Sequence, residues 1–413
     1  MTQDSTRTQD DADERETYGL LVVGGGPAAL EAARAYRDAG GGGPVHLVSA
    51  DEHPPYARPP LSKDHLRGET APEETQLEDA SFYRDQGIDL RLGTRVEAID
   101  PDGGRATGQG LDLRFDVAVL ATGSDPVPLP VPGGEDPGLF LLRSRRQGED
   151  LRAAVAAEGR RSAVVVGSGF IGCEAAASLA HLGLEVTLVS DESTPQEKRL
   201  GSYAAGRIAD WLSGAGVRLE LGRAVTEFPD ATSVRTEDGA THRGDVVLVA
   251  AGVQPAAALA EDAGLTCEDG MVVVDSAMRT SHPRVLAAGD VALAHNDAAG
   301  RRVAVEHWGD AMTQGEVAGA TAAGRTVTWD QAPGFWSEIG DHTLKYSAWG
   351  DGWDDVRVDE GGSDAEGAFA VWYLAGDTVV GVLAHERDDA YETGQDLVRR
   401  RAGVEELPIT GGA

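Results

Sequence analysis

The sequence has 413 residues, with 69 acidic against 36 basic side chains and a formal net charge of −33 at neutral pH. A chain of this length predicts two or three domains, each able to bury its own core. So large a negative charge argues against binding to nucleic acid or to anionic lipid, and no apolar run is long enough to span a bilayer.

The N-terminus and the cysteines give the first local predictions. Residues 1 to 16 are polar and acidic, so we predict a disordered tail and no signal peptide. Cys173 and Cys267 form no CxxC motif, and a reducing cytoplasm suits them. The ten histidines show no ligand spacing, so no metal site is predicted.

The stretch GLLVVGGGPAALEAARAYRDAG is typical of a dinucleotide-binding unit. It predicts a buried strand over residues 19 to 23, then a G-x-G-x-x-A turn and a helix from Pro27 to about Ala39. After a second strand, VHLVS, Asp51 is placed to bind ribose hydroxyls, with Glu52 as a possible substitute. In this pattern the glycines let the backbone approach a pyrophosphate at the helix N-terminus. The predicted cofactor-binding residues of this turn are Gly24, Gly26, Pro27, Ala28 and Ala29.

The same unit recurs in SAVVVGSGFIGCEAAASLAHLGLEVTLVSDES. A strand, a glycine turn, a helix and a second strand, EVTLV, follow one another in the same order. Asp191 comes after Ser190 at the end of that strand, 19 positions after the last glycine of the motif. Two such units are strong evidence for two nucleotide sites. The predicted cofactor-binding residues here are Gly167, Gly169, Phe170, Ile171, Gly172 and Asp191.

The two halves match beyond their glycine turns. GIDLRLGTRVEAID, from Gly87, resembles GVRLELGRAVTEFP, from Gly216, and FDVAVLATGSDP resembles GDVVLVAAGVQP at the same offset of 129. The glycine motifs are offset by 143, so the first half carries 14 extra residues in between. The segment YARPPLSK, residues 56 to 63, lies in that interval and ends in one of only three lysines of the chain. We therefore predict that this segment, expected to be neither helix nor strand, does something other than bind phosphate.

Several motifs together resemble those of a known family. They are PYARPPLSK, ATGSDP, VLAAGDVA, VEHWGDAMTQGEVAG and FWSEIGD, and the resemblance runs from Gly24 to about Gly350. They are similar to the two-dinucleotide-domain flavoprotein reductases, in particular the oxygenase-coupled ferredoxin reductases and apoptosis-inducing factor. The resemblance implies an α/β fold with two Rossmann-like dinucleotide-binding domains, glutathione-reductase-like, and a small α+β C-terminal domain.

The resemblance and the repeat together predict the domain boundaries. An FAD-binding domain is expected over residues 17–136 and 255–326, an NAD-binding domain over 137–254, and a C-terminal interface domain over 327–413. In the last domain, the stretch TLKYSAWGDGWDDVRVDEGGSDAEGAFAVWYLAGDTVVGVLAHERDD suggests three or so antiparallel strands, followed by a helix near residues 389 to 401.

The resemblance also implies the roles of individual residues. The first unit would bind FAD and the second the nicotinamide nucleotide. Asp290 would hold the ribityl chain, while Trp308 and Trp336 would border the isoalloxazine. The remaining residues expected to bind cofactor are Arg58, Lys63, Val96, Ala121, Thr122, Gly123, Gly252 and His307.

Lys63 has a specific predicted partner. The family counterpart of Glu174 pairs with the counterpart of Lys63 beside the flavin. A fixed ammonium there favours the negative charge that hydride transfer places on the flavin, and a carboxylate partner avoids an unpaired buried charge. Two prolines before Leu61 restrict the backbone that carries the lysine. The alternative is that Lys63 is a solvated surface residue.

The favoured function is an NADH-dependent FAD oxidoreductase that reduces a small iron–sulfur ferredoxin. NADH is favoured over NADPH. Many relatives carry glutamate at the position of Ser190, so here Asp191 must bind the ribose hydroxyls. No arginine follows at once to bind a 2′-phosphate, although Lys198 and Arg199 lie further along the chain. The alternatives are an NADH oxidase or a quinone or dye reductase, and a redox-switched flavin-binding interaction protein. An acidic ferredoxin needs a basic docking face. The candidate cations for it are Arg58, Lys63, Arg67 and Arg84. Nearby acids would offset their charge: Glu69, Glu73, Glu74, Glu78 and Asp79.

Overall fold

A computed structural model describes residues 18–350, 352–360 and 367–408. The predicted N-terminal tail, residues 1 to 16, lies outside the described residues.

Each glycine motif lies between a strand and a helix, runs of short strands follow each of these units, and a further run of strands precedes the last helix. In chain order the strands are β1 (Leu20–Val23), β2 (Val45–Val48), β3 (Ile88–Arg91), β4 (Ala98–Asp100), β5 (Arg105–Gly108), β6 (Leu111–Arg114), β7 (Val117–Leu120), β8 (Ser124–Pro126), β9 (Ser162–Val166), β10 (Glu185–Val189), β11 (Arg218–Glu220), β12 (Val225–Asp230), β13 (Ser233–Thr236), β14 (Thr241–Arg243), β15 (Val246–Val249), β16 (Val253–Pro255), β17 (Cys267–Glu268), β18 (Met271–Val274), β19 (Val285–Ala287), β20 (Ala292–Asn296), β21 (Arg301–Ala304), β22 (Gly334–Ile339), β23 (His342–Ala348), β24 (Asp355–Asp359), β25 (Phe369–Ala375) and β26 (Thr378–His385). The helices are α1 (Pro27–Asp38), α2 (Asp64–Arg67), α3 (Ala80–Asp85), α4 (Arg145–Ala156), α5 (Phe170–His181), α6 (Glu197–Gly214), α7 (Ala258–Asp262), α8 (Trp308–Ala322) and α9 (Asp388–Arg399), with 3-10 turns at Pro59–Ser62, Pro72–Thr75 and Val404–Glu406.

Two parallel sheets carry the two glycine motifs. The first has the order β19-β7-β1-β2-β3 and the second the order β11-β10-β9-β15. Their central strands, β1 and β9, are continuous apolar runs that are almost fully buried, as strands covered on both faces must be. The predicted strand and helix order of both units is confirmed, including the helix that begins at Pro27.

Helix α8 packs unusually closely against α1, and this places both helices on one face of the first sheet. Two glycines on α8 make the contact possible. A Cβ atom at Gly315 would lie 2.4 Å from the carbonyl oxygen of Ala28, and one at Gly319 would lie 2.1 Å from that of Ala32. Any larger residue at either glycine would push the helices apart.

The C-terminal unit is an antiparallel sheet of order β22-β23-β26-β25-β24, with α9 packed on it. The predicted helix near residues 389 to 401 is confirmed as α9, but the prediction of three or so strands is too low. The short strand β24, DVRVD, was hidden by its charged residues, and it is held by pairing with the buried strand β25. The predicted α/β architecture with a small α+β C-terminal unit is confirmed.

The segment YARPPLSK is more regular than predicted. Residues Pro59–Ser62 form a 3-10 turn and α2 follows at once, so the prediction of neither helix nor strand is wrong. Proline fits the first position of a helical turn because its fixed φ suits that turn and its missing N–H is not needed there. The turn closes when the Lys63 N–H donates to the carbonyl oxygen of Pro60 at 3.0 Å. This rigid turn holds the Lys63 backbone in place.

None of the described helices is both long and apolar enough to cross a membrane.

Candidate functional site

A single large cavity of about 1000 Å³ joins the two nucleotide units. Both glycine turns line it, as do the 3-10 turn before Lys63 and the strand β22 of the C-terminal sheet. Most predicted site residues lie in its wall. They are Gly26, Pro27, Ala28, Arg58, Lys63, Ala121, Thr122, Gly123, Gly167, Gly169, Phe170, Ile171, Glu174, Asp191, Gly252, Asp290, His307, Trp308 and Trp336.

Both glycine turns have the geometry of an anion site. Gly24 and Gly167 have φ values of 142° and 104°, and a Cβ atom on them would lie 2.1 Å and 2.4 Å from the carbonyl oxygens of Ala121 and Ala250. The helices that follow, α1 and α5, begin without a capping side chain and without an acidic residue in the first turn. Their first N–H groups therefore remain available to a phosphate, which the helix dipole also favours.

Lys63 and Glu174 form a buried ion pair where the three units meet. Lys63 Nζ lies 2.7 Å from Glu174 Oε2, and the two side chains are only 6% and 5% exposed. The predicted pair is thus confirmed, and the alternative of a solvated surface lysine is wrong. The ammonium also donates to the carbonyl oxygen of Pro59 at 3.1 Å.

Two serines complete the hydrogen bonds of the Glu174 carboxylate. Ser62 Oγ donates to Oε2 at 2.5 Å, and Ser337 Oγ donates to Oε1 at 2.7 Å. Ser337 belongs to β22 of the C-terminal sheet and is fully buried. One carboxylate therefore ties the C-terminal sheet to the turn that carries Lys63. Sequence reasoning missed both serines because a hydroxyl in a loop or strand carries no signal of a distant partner.

A second charged cluster lies on the first unit's side of the cavity. Asp290 accepts hydrogen bonds from Ser124 Oγ at 2.7 Å and from Arg143 Nη2 at 2.6 Å. Arg58 lines the cavity nearby, and its Nε is buried without a partner among the described residues. Burial lowers the pKa of its guanidinium. A buried donor without an acceptor is expected where an anionic ligand completes the site.

Arg143 was not predicted. It lies in LLRSRRQ just before α4, where no motif distinguishes one arginine from the next. Its contact with Asp290 spans 147 positions of the chain.

Five predicted residues lie outside the lining of the cavity. Gly24, Ala29, Asp51, Val96 and Gly172 form this group. Ala29 and Val96 are buried in the core of the first unit. A Cβ atom at Gly172 would lie 2.1 Å from the carbonyl oxygen of Gly167, so this glycine permits the turn to close against its helix.

Asp51 lies at the end of β2 beside the glycine turn, but its carboxylate is already hydrogen-bonded within the protein. Oδ2 accepts from the Tyr56 hydroxyl at 2.9 Å and Oδ1 from the His53 N–H at 3.0 Å. Although burial opposes the change, these hydrogen bonds lower the pKa of Asp51 and keep it ionised.

The corresponding corner of the second unit has a second acid beside the predicted one. Asp191 is exposed and lines the cavity, as does Glu192 beside it. Glu192 Oε2 accepts from Ser168 Oγ at 2.6 Å and from the Gln196 N–H at 3.1 Å. Ser168 lies inside the glycine turn and also bonds Ser190 Oγ at 2.7 Å. Glu192 is therefore held against the nucleotide turn, and the residue pattern did not single it out.

Cys173 is packed in the core of the second unit. The thiol is fully buried and donates to the carbonyl oxygen of Ser168 at 3.3 Å. Burial raises the pKa of this thiol far above its ordinary range. It is therefore protonated at neutral pH and unsuited to dithiol chemistry.

The four cations considered for a basic docking face do not form one. Lys63 is buried in its ion pair, and Arg58 faces the cavity. Arg67 pairs with Asp64 and Glu69, while Arg84 is exposed beside Asp85.

A different cation lies next to the exposed face of the C-terminal sheet. Trp336 on β22 is 40% exposed and lies directly opposite Lys345 on β23. Lys345 Nζ pairs with Asp388 at 2.7 Å, and its side chain remains 36% exposed.

Comparison with known families and relatives gives consistent matches over most of the chain. Residues 18–315 match the family described as pyridine nucleotide-disulphide oxidoreductase, and residues 334–409 match the family described as reductase C-terminal. Putidaredoxin reductase CamA of Pseudomonas putida is 32% identical over 396 residues, covering 94% of this chain and 93% of the relative. The ferredoxin reductase subunit of the 5,5'-dehydrodivanillate O-demethylase of Sphingobium sp. is 36% identical over 388 residues, covering 92% and 93%.

Solved structures that are similar to this chain also include reductases of this kind. The covalent putidaredoxin reductase–putidaredoxin complex superposes with a TM-score of 0.86 at 32% identity, covering 94% of each chain. The ferredoxin reductase for the CYP199A2 system from Rhodopseudomonas palustris superposes with a TM-score of 0.88 at 30% identity, covering 95% of this chain and 98% of the other.

Proposed function

The chain belongs to the pyridine nucleotide-disulphide oxidoreductase family, and from this we propose that it is an NADH-dependent FAD oxidoreductase that passes electrons to a small iron–sulfur ferredoxin. The observation that carries the proposal is the cavity lined by both glycine turns, each followed by an uncapped helix, with a buried lysine–glutamate pair in its wall. Relatives that are 32% to 36% identical are reductases of putidaredoxin and of ferredoxin systems.

The first unit fits FAD. Its glycine turn leaves α1 uncapped for a pyrophosphate, and the orphaned Arg58 Nε supplies a further donor for an anion. Asp290, held by Ser124 and Arg143, presents a carboxylate for ligand hydroxyls. Bound FAD would supply the chemistry of accepting a hydride from the nicotinamide and releasing electrons singly.

The chain's own residues would position the reactants and their charges. Lys63 places a fixed positive charge in the cavity wall, which favours the negative charge that develops on reduction. Glu174 holds that ammonium in one orientation, and Ser62 and Ser337 hold Glu174. We propose Lys63 and Glu174 as the residues that carry this role.

The second unit is proposed to prefer NADH to NADPH. Two acids, Asp191 and Glu192, face the cavity at the end of β10. Their charge would favour ribose hydroxyls and repel a 2′-phosphate. Lys198 and Arg199, which also line the cavity, could bind the remaining phosphates.

Anaerobic stopped-flow mixing tests the proposed function. The flavin-loaded protein should be reduced faster by NADH than by NADPH, and should then be reoxidised fastest by a [2Fe–2S] ferredoxin. Rapid turnover with oxygen or a quinone alone would instead indicate an oxidase or quinone reductase. Slow reoxidation by every acceptor would indicate a redox-switched interaction protein.

The exposed Trp336 and Lys345 are proposed to form part of the ferredoxin docking face. An acidic ferredoxin would be attracted by Lys345 despite the negative charge of the whole protein. Lys345→Glu is expected to lower kcat/KM for ferredoxin about tenfold at low salt, with a smaller loss at high salt. Reduction of the flavin by NADH should not change. Arg84→Glu, the same charge change at another exposed site, is the control and should leave both rates as they are.

We also propose a cytoplasmic location and the following domain division. The two cysteines are free, Cys173 buried and Cys267 partly exposed, as expected in a reducing compartment. The proposed FAD-binding domain comprises 17–136 and 255–326, the NAD-binding domain 137–254 and the C-terminal domain 327–413.

A further inference from the structure

The beginning of helix α6 is a distorted turn in the wall of the nucleotide cavity. Gln196, just before the helix, has a φ of 62°, and Gly201, inside it, has a φ of 77° and a ψ of 169°. Between them lies the turn formed by residues 197–200, which carries Lys198 and Arg199. Both cations are exposed and line the cavity, and no ion pair is found for them within the described ranges. We refer to residues 196–201 as the cationic turn.

One end of the cationic turn is attached to the glycine turn of its own unit. Gln196 Nε2 donates to the carbonyl oxygen of Ser168 at 3.0 Å, and the Gln196 N–H donates to Glu192 Oε2 at 3.1 Å. The cations are thereby kept near the point where the helix dipole of α5 favours a phosphate.

The other end is attached to the C-terminal sheet. Trp353 Nε1 donates to the carbonyl oxygen of Arg199 at 3.3 Å, and the Tyr373 hydroxyl donates to that of Leu200 at 2.9 Å. The indole of Trp353 also covers Gly201, where a Cβ atom would lie 3.0 Å from the ring. Two side chains of a different unit thus satisfy the carbonyl groups that the break in the helix leaves unpaired.

The contact continues along α6, so the cationic turn is part of a larger interface. Tyr203 packs edge-on against Phe369 at a centroid distance of 5.3 Å. Near the end of the helix, Trp211 stacks on His342 at 4.5 Å and lies 4.9 Å from His385. The helix that follows the nucleotide-binding strand therefore rests on the C-terminal sheet over most of its length.

We propose that Trp353 and Tyr373 are positioning residues for the nicotinamide nucleotide: the C-terminal sheet, through them, sets the place of the cationic turn and so the affinity for NADH. This inference rests on the proposed function, because it takes the second glycine turn as the NADH site. The C-terminal unit would then act on both reaction partners. Trp353 and Tyr373 would affect the binding of NADH, the electron donor, and the proposed docking face on β22 and β23 would bind the ferredoxin, the electron acceptor.

Matched tryptophan substitutions test the proposal. Trp353→Phe and Trp349→Phe each remove an indole N–H that donates to a carbonyl oxygen, the latter to that of Val398 at 2.8 Å in the core of the C-terminal unit. Steady-state kinetics with ferricyanide as acceptor avoid any effect on ferredoxin docking. Trp353→Phe is expected to raise the KM for NADH about three- to tenfold, the range for loss of a neutral hydrogen bond and its packing, while kcat stays within twofold. Trp349→Phe should leave the KM unchanged.

A second variant guards against mistaking a folding defect for a loss of NADH affinity. Tyr373→Phe removes only the hydroxyl that bonds Leu200 and should also raise the KM for NADH, as Trp353→Phe does. Equal KM values for wild type, Trp353→Phe and Tyr373→Phe would overturn the proposal, as would an equal rise in Trp349→Phe. A wild-type protein whose flavin neither NADH nor NADPH reduces would instead refute the proposed function, so the two failures are distinguishable.

Discussion

Lys63→Met is expected to slow reduction of the bound flavin by NADH about 100-fold, the typical loss when one preorganised charge or donor is removed from a reacting centre. Methionine is likewise unbranched, is one atom shorter than lysine, and carries no charge. The buried lysine is directed by Glu174 and by the carbonyl oxygen of Pro59, so its position depends little on the ligand. A charge that is fixed before the reaction costs no reorganisation when the negative charge develops.

The measurement is the rate of flavin bleaching after anaerobic mixing with NADH. Lys345→Met makes the same chemical change at an exposed lysine and should leave this rate unchanged. Retention of flavin, read from the absorbance of the purified protein, separates a loss of rate from a loss of cofactor. A Lys63→Met rate within twofold of wild type would show that the lysine is structural only.

Glu174→Ala is expected to destabilise the protein by about 3–5 kcal/mol, because it leaves the Lys63 ammonium buried without its counter-charge. The hydroxyls of Ser62 and Ser337 lose their acceptor in the same step. The loss should appear as a lower midpoint of urea unfolding followed by tryptophan fluorescence.

Two comparisons make the stability prediction specific. Glu227→Ala breaks an exposed pair with Arg235 and should cost at most about 1 kcal/mol. The double variant Lys63→Met/Glu174→Leu should recover much of the lost stability, since replacing both members of a buried pair by apolar residues is often neutral. A double variant no more stable than Glu174→Ala would contradict the assignment of the loss to an unpaired charge.

The contrast between these two variants bears on how the site is built. The pair joins residues 111 positions apart and lies where all three units meet. We expect the charge of Lys63 to matter for the reaction and the carboxylate of Glu174 to matter for folding as well. The same carboxylate binds Ser337 in the strand that exposes Trp336, so one hydrogen-bond network joins a strand of the proposed docking face to the turn that carries Lys63.

Sequence reasoning succeeded where the chemistry depends on neighbours in the chain. The two glycine turns, their strands and their helices follow from local patterns, since φ values above zero and apolar runs are properties of short segments. The contact between Lys63 and Glu174, which the structure contains, came from the family resemblance.

The failures involve surface exposure and long-range contacts. Arg58 and Lys63 were candidates for a basic surface, but one faces the cavity and the other is buried. Glu192, which the residue pattern did not single out, is held against the glycine turn by the Ser168 hydroxyl, 24 positions away in the chain.

By itself, the sequence determined that this protein has two dinucleotide units, and that the first unit carries an inserted segment with a lysine between its glycine turn and the later strand that has a counterpart in the second unit. The tertiary structure alone decided which groups meet at their junction: Ser337 at Glu174, Arg143 at Asp290, and Trp353 at the cationic turn. The physical reason is that each of these contacts satisfies a buried polar group with a partner from a distant part of the chain. The packing of the units determines which partner each group meets. The residues next to a hydroxyl, a guanidinium or an indole in the chain do not reveal that packing, so the partner cannot be predicted from them.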